Sequence, residues 1–234
     1  MWSGPRNIST AMMRAFENRP DCAVVDEPFY AAYLAATGLD HPMRQAVLMS
    51  QPQDWRRVVA DLDAAAAPLR YEKHMTHHML PSIGLAWLAD RTNAFLIRDP
   101  TEVLASYIVK RANVTLEDIG IVRQREIFDR EADRLGHAPL VVRSADILAA
   151  PRSMLGALCA GLGIGFCYEM LSWPEGRRAS DGVWAPAWYD AVWRSTGFAA
   201  TVETDAPNLP DALRRIADAA RPHYEALSAH RLRA

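Results

Sequence analysis

Arg6 lies in a short stretch, Ser3-Gly4-Pro5-Arg6-Asn7-Ile8-Ser9-Thr10, whose residue types suit an anion. Gly4 and Pro5 make a tight turn, and Asn7 or Ser9 is expected to cap a helix over residues 10–16. A helix start presents unpaired backbone N–H groups, and an arginine beside them can clamp an oxyanion that those amides already hold. A loop of this kind points to chemistry on an activated anion. Further charged groups stand in comparable places: Glu27, the pair Lys73-His74, and Arg98 each lie at or just past the end of a short apolar run.

Strands must position these groups. Residues 22–25 form an apolar run ending in Asp26-Glu27-Pro28, and residues 93–97 form another, stopped by Arg98-Asp99-Pro100. Residues 69–75 and 139–143 complete the set, and each run is followed by a helical pattern. Repeated strand–helix units predict an α/β protein with a mainly parallel sheet. Ligands of such sheets bind at the carboxyl ends of the strands. Asp99 as cap, Pro100 at the first position and Glu102 as capping-box partner predict a helix to about Arg111. Thr115 caps the next, running through Ile127 and Phe128 to Gly136, and Pro151 opens another over 154–162, closed by Gly163. Residues 173–198 carry Trp173, Trp184, Trp188 and Trp193 among prolines and glycines, which reads as an ordered loop followed by a helix. A last amphipathic helix is expected over 211–227, packed on the outside.

Composition narrows the class. The chain has 234 residues, half of them hydrophobic, which suits one domain over 1–234 with a Trp-rich segment at 173–200 and the final helix at 211–227. Its 28 acidic and 26 basic residues nearly balance, and no basic run stands out, which argues against a nucleic-acid binder. Cys22, Cys159 and Cys167 follow no metal-ligand spacing and suit a reducing compartment. No apolar run is long enough to span a membrane, and Arg6 and Asn7 interrupt any signal-peptide pattern, so a cytoplasmic protein is expected.

Arg98-Asp99-Pro100, with Ser106 eight residues after Arg98, is similar to the 3′-phosphate-binding motif of the sulfotransferases that use 3′-phosphoadenosine 5′-phosphosulfate (PAPS). The stretch Pro5-Arg6-Asn7-Ile8-Ser9-Thr10 resembles their 5′-phosphosulfate loop. Ser144-Ala145-Asp146-Ile147-Leu148 with Pro151, and Asp181-Gly182-Val183-Trp184-Ala185 with Ser195-Thr196-Gly197-Phe198, resemble further segments of the superfamily. The resemblance implies a three-layer, P-loop-type α/β fold with a central, mainly parallel sheet of about four or five strands flanked by helices. It implies PAPS as sulfuryl donor, a small-molecule or glycan-like hydroxyl or amine as acceptor, and no metal.

The same resemblance implies roles for particular residues. Arg6, Asn7, Ile8, Ser9 and Thr10 would hold the sulfonate and 5′-phosphate. Arg98 and Ser106 would bind the 3′-phosphate, since a helix turning every ~3.6 residues brings them to one side. Arg177 and Arg178 would add a phosphate contact from a C-terminal loop. Asp26-Glu27-Pro28-Phe29-Tyr30 resembles the segment carrying the glutamate base of glycan sulfotransferases, and Glu72-Lys73-His74 resembles segments with a lysine on the bridging oxygen and a histidine base nearby. The base is therefore Glu27 or His74. His77 and His78 read as polar residues flanking a strand end. Trp184, Trp188, Tyr189 and Trp193 suit either an apolar acceptor pocket or core packing.

Two departures from the family pattern carry expectations. Glycine is usual where Ile8 stands, so Ile8 should turn its side chain into the core and leave only its amide near a ligand. Only Met1 and Trp2 precede the loop, where a strand of ~5 residues is usual. That short strand favours a second reading, a domain that binds without catalysing. A kinase of the same architecture would need G-x-x-x-x-G-K-[ST]; counted from Gly4, Ser9 and Thr10 occupy the second glycine and the lysine positions.

Overall fold

In a computed structural model, residues 1–111, 113–199 and 207–234 are described. The strands are β1 (Trp2–Ser3), β2 (Cys22–Asp26), β3 (Leu69–Met75), β4 (Ala94–Ile97) and β5 (Leu140–Arg143). They pair in parallel in the order β2-β3-β1-β4-β5. The helices in chain order are α1 (Ser9–Glu17), α2 (Tyr30–Thr37), α3 (Arg44–Ser50), α4 (Trp55–Ala64), α5 (Pro100–Tyr107), α6 (Leu116–Ile119), α7 (Ile121–Leu135), α8 (Ser144–Ala149), α9 (Pro151–Gly161), α10 (Ala185–Trp188), α11 (Asp190–Trp193) and α12 (Asp211–Ser228). No helix of the described residues is long and apolar enough to cross a membrane.

Alternation along the strands buries both faces of the sheet. Phe95, Ile97 and Val141 pack in one cluster with α5, α7 and α12, while Leu96 and Val142 pack in another with α1 and α9. A third cluster gathers α2, α3 and α10 around Tyr30, Leu34 and Trp184.

The first strand is two residues long yet central, with Trp2 opposite both His74 and Phe95. Side chains from elsewhere secure it. Gln124 of α7 donates to the carbonyls of Trp2 and Leu96 at 3.0 Å each, and the Trp2 indole donates to Asn93 Oδ1 at 2.8 Å.

Several helix boundaries differ from expectation for tertiary reasons. Neither Asn7 nor Ser9 caps α1: Ile8 is the left-handed residue before the helix, no side chain caps it, and Asn7 Nδ2 donates to the Leu96 carbonyl instead. Asp99 caps α5 through Thr101 N–H as expected, but Glu102 accepts from Arg98 Nε at 2.8 Å rather than closing a capping box. The helix stops at Tyr107, short of Arg111. Thr115 and Asp118 form a full capping box, and the helix they start is interrupted at Gly120. A Cβ there would lie 2.5 Å from Thr76 Oγ1, whose hydroxyl donates to the Gly120 carbonyl at 2.9 Å. The helix opened by Pro151 begins at that proline and ends at Gly161. Residues 185–193 form two single turns where one helix was expected. The final helix buries Ala217, Ala220, Tyr224 and Leu227 against the core, and Arg221 pairs with Asp99 at 2.5 Å.

Candidate active-site cleft

A cleft of about 340 Å³ opens at the carboxyl ends of the strands. The strand order lays its parts side by side. Glu27 follows β2, Lys73 ends β3, the Pro5–Thr10 loop follows β1, Arg98 follows β4, and Leu148 sits in α8 after β5.

At the centre and one flank, cationic side chains and helix amides converge. Arg6 Nε donates to Ser106 Oγ at 2.9 Å, and Arg98 Nη1 donates to the Arg6 carbonyl at 2.7 Å. Two guanidinium groups thus share one corner, and burial, followed by the repulsion of Arg98, lowers the Arg6 pKa. An anion there relieves both costs. Residues Ile8 to Ala11 line the cleft, and the first-turn N–H groups of α1 have no capping side chain. Asn7 Oδ1 is buried without a partner among the described residues. Gly4 lets the loop lie close to the Ile119 carbonyl, which a Cβ would approach to 2.4 Å.

The other flank holds a buried charge network. Lys73 Nζ donates to Asp26 Oδ1 at 2.9 Å, Glu27 Oε1 at 2.5 Å and Tyr189 Oη at 2.7 Å. Tyr189 donates to Asp26 Oδ2 at 2.7 Å and accepts from the Trp184 indole at 3.1 Å. Burial opposes the charge on Lys73, but Asp26 and Glu27 outweigh it and raise its pKa. Burial raises the Glu27 pKa, with Lys73 opposing and Asp26 reinforcing. The result is a carboxyl group with a raised pKa, held beside a fixed cation. Arg6 (φ 61°), Ile8 (φ 57°) and Glu27 (φ 41°) all take left-handed backbone, a strain of about 1–3 kcal/mol each that functional sites often carry. Ile8 packs its side chain on the α1 and α9 cluster, as its position in a glycine's place required.

The structure does not bring every expected residue into the cleft. His74 alternates with Lys73 along β3 and faces the opposite way. It stacks on Trp2 at 4.4 Å between ring centroids, and its Nε2 lies 3.0 Å from Glu72 Oε2. It lines a separate cavity of about 290 Å³ at the amino ends of the strands. Burial pushes its pKa down to about 4, leaving it neutral, and its position removes it as a candidate base. Arg177 stacks on Trp193 at 4.5 Å, and the Arg178 amide donates to Asp181, so neither lines the cleft. His77 and His78, by contrast, line it from the buried turn Thr76–His78 that follows β3. Of the aromatic segment, Trp188 and Tyr189 line the cleft, Trp184 supports Tyr189 from the core, and Trp193 donates to Asp181. No local pattern pairs Asp26 with Lys73 or adds His41 and Tyr107 to the cleft. Their only signal was proximity in the fold.

The sulfotransferase domain family matches residues 1–231. The chain belongs to this family. Two relatives of this sulfotransferase-family chain come from Arabidopsis thaliana. Branched-chain-amino-acid aminotransferase-like protein 1 is 36% identical over 199 residues, covering 84% of this chain and 36% of that protein. Branched-chain-amino-acid aminotransferase-like protein 2 is 32% identical, covering 84% of this chain and 35% of that protein. The chain thus spans about a third of the length of these curated relatives. A solved sulfotransferase domain from the curacin biosynthetic pathway shares the fold, with a TM-score of 0.54 at 17% identity over 93% of this chain and 95% of that one. The five-stranded parallel sheet flanked by helices is the architecture of that neighbour.

Proposed function

We propose that the chain binds PAPS in this cleft and transfers its sulfuryl group to an acceptor, with Glu27 as general base. The observation that carries the reading is the convergence of Arg6, Arg98 and Ser106 beside the Lys73–Glu27 pair in one cleft. The residues present fit a doubly phosphorylated donor: two guanidiniums and the uncapped helix amides lie together. The donor supplies a sulfuryl group whose bond to the bridging oxygen breaks, with the electron pair leaving on the 5′-phosphate, as a bond to the acceptor forms.

The chain's own residues have distinct tasks. Arg98 and Ser106 hold the 3′-phosphate, and Arg6 with the α1 amides holds the 5′-phosphate side. Lys73 stabilises charge appearing on the leaving oxygen, and Glu27 Oε takes the proton of the attacking group. Asp26 and Tyr189 fix the Lys73 ammonium so that it need not reorganise. Among the described residues, no cluster of His, Cys, Asp and Glu is arranged to hold a metal ion.

Calorimetric titration with 3′-phosphoadenosine 5′-phosphate tests the reading. We expect binding that weakens by about 10- to 100-fold in Arg98→Ala, the loss of one charge-assisted phosphate contact. The absence of heat at millimolar nucleotide would overturn it.

A further inference from the structure

The Glu27 end of the cleft shows what kind of acceptor it is shaped for. We infer that it takes an uncharged alcohol or phenol on an apolar body, and that Tyr30 donates a hydrogen bond to that acceptor. This rests on the sulfotransferase reading above. The strand order separates the two ends: phosphate-binding groups lie over β1 and β4, and Glu27, Tyr30, His77 and His78 lie over β2 and β3.

The wall at this end is aromatic. Tyr30 stacks on His78 at 4.5 Å and 15°, and His78 stacks in turn near Tyr33 at 4.9 Å. Trp188 and Tyr107 also line the cleft. These rings pack on one another and so set a rigid, apolar wall, which favours an apolar guest over a polyhydroxylated one that needs a polar partner for each hydroxyl.

Among the described residues, the cations at this end are already paired. Lys73 is committed to Asp26 and Glu27, and Arg111 pairs with Asp118 at 2.9 Å. His41, His77 and His78 stay neutral, with burial lowering His41 to about 4 and His77 to about 3. An acidic acceptor would meet no unpaired cation among the described residues, and an ammonium would sit against Lys73 and have no free electron pair with which to attack.

One donor is set aside by hydrogen-bond logic. Arg111 Nη1 donates to His41 Nε2 at 2.9 Å, so the neutral imidazole carries its hydrogen on Nδ1. That Nδ1–H donates to Tyr30 Oη at 2.9 Å. The hydroxyl hydrogen of Tyr30 is therefore left over, on a residue that lines the cleft three positions after Glu27. It is available to orient an acceptor oxygen.

The experiment uses the full chain with PAPS and four probes: 2-naphthol, 4-hydroxybenzoate, glucose and benzylamine. Titration with 3′-phosphoadenosine 5′-phosphate comes first, so that failure of the donor reading is seen by itself. With the nucleotide bound, we expect 2-naphthol to quench tryptophan fluorescence and to be sulfated with kcat/KM at least tenfold above the other three. Tyr30→Phe should raise its KM by about tenfold, leaving nucleotide affinity unchanged, as for one lost neutral hydrogen bond. Preference for the acid, the sugar or the amine overturns the inference. So does 2-naphthol that neither binds nor reacts at millimolar concentration, or an unchanged KM in Tyr30→Phe.

Discussion

At the scale of single residues, the cleft depends on charges held where water cannot screen them. Glu27 is the group whose removal separates chemistry from binding. Glu27→Gln keeps the side-chain shape and should lower kcat by 100-fold or more, leaving the dissociation constant for 3′-phosphoadenosine 5′-phosphate unchanged. Steady-state kinetics beside calorimetry measures both; an unchanged kcat would remove Glu27 from the role. Burial also raises the Glu27 pKa above the ordinary carboxylate value of 4.5, so the proton-accepting form is lost at a higher pH than for a free carboxylate. The pH profile of kcat/KM should therefore show an acid limb above that value, and the limb should vanish in Glu27→Gln. Lys73 is a different case. Lys73→Met leaves Asp26 and Glu27 buried without their cation, and a broken buried pair costs about 3–5 kcal/mol. Urea denaturation should show that loss unless the carboxyls protonate in compensation.

Among elements, the turns between strands and helices carry the precision. The loop after β1 lies against the Ile119 carbonyl, and the Gly120 turn lies against Thr76 and His77. Gly120→Ala demands both a left-handed alanine at φ 68° and a Cβ 2.9 Å from the His77 amide nitrogen. We expect it to destabilise the chain by more than Gly136→Ala, where φ is 74° but no atom lies within 4 Å of the added Cβ. Thermal denaturation of the two variants compares strain alone with strain plus a clash; equal losses would mean the Thr76–His78 turn yields freely. The short β1 is an element-scale result as well. Its two residues gain bonds from Gln124, Asn93 and both neighbouring strands, so its brevity no longer favours a domain that only binds.

On the scale of the whole molecule, buried histidines link stability to pH. His41, His74 and His77 have pKa values driven by burial from 6.5 to about 4, 4 and 3. Below pH 6.5 the unfolded chain binds protons that these folded histidines refuse, so acid favours unfolding. Stability should be full above about pH 6.5 and fall by roughly 1 kcal/mol per pH unit for each histidine as pH drops toward 4. Glu72 adds to the loss further down: burial opposes its charge, but His74, Arg91 and Arg70 hold its pKa at about 2, so its contribution disappears as pH falls from 4.5 toward 2. The raised Glu27 pKa works in the opposite direction. Urea midpoints at pH 7 and pH 5 test the balance, and an unchanged midpoint would show that the histidines are hydrated.

Local pattern was enough for the strands, the helix starts at Asp99-Pro100 and Thr115, and the arrival of Arg6, Glu27, Lys73 and Arg98 at carboxyl ends. Those follow from apolar runs, caps and alternation, which act over a few residues. The packing of elements against one another set which face of β3 meets the cleft, and so separated Lys73 from His74. It alone broke the helix at Gly120, since the cause is Thr76, and it alone placed Tyr189 on Asp26, 163 residues away. It also sent Arg177 to Trp193 and brought His77 and His78 to the wall. A side chain's partners depend on which elements pack together, and no local pattern in this chain records that.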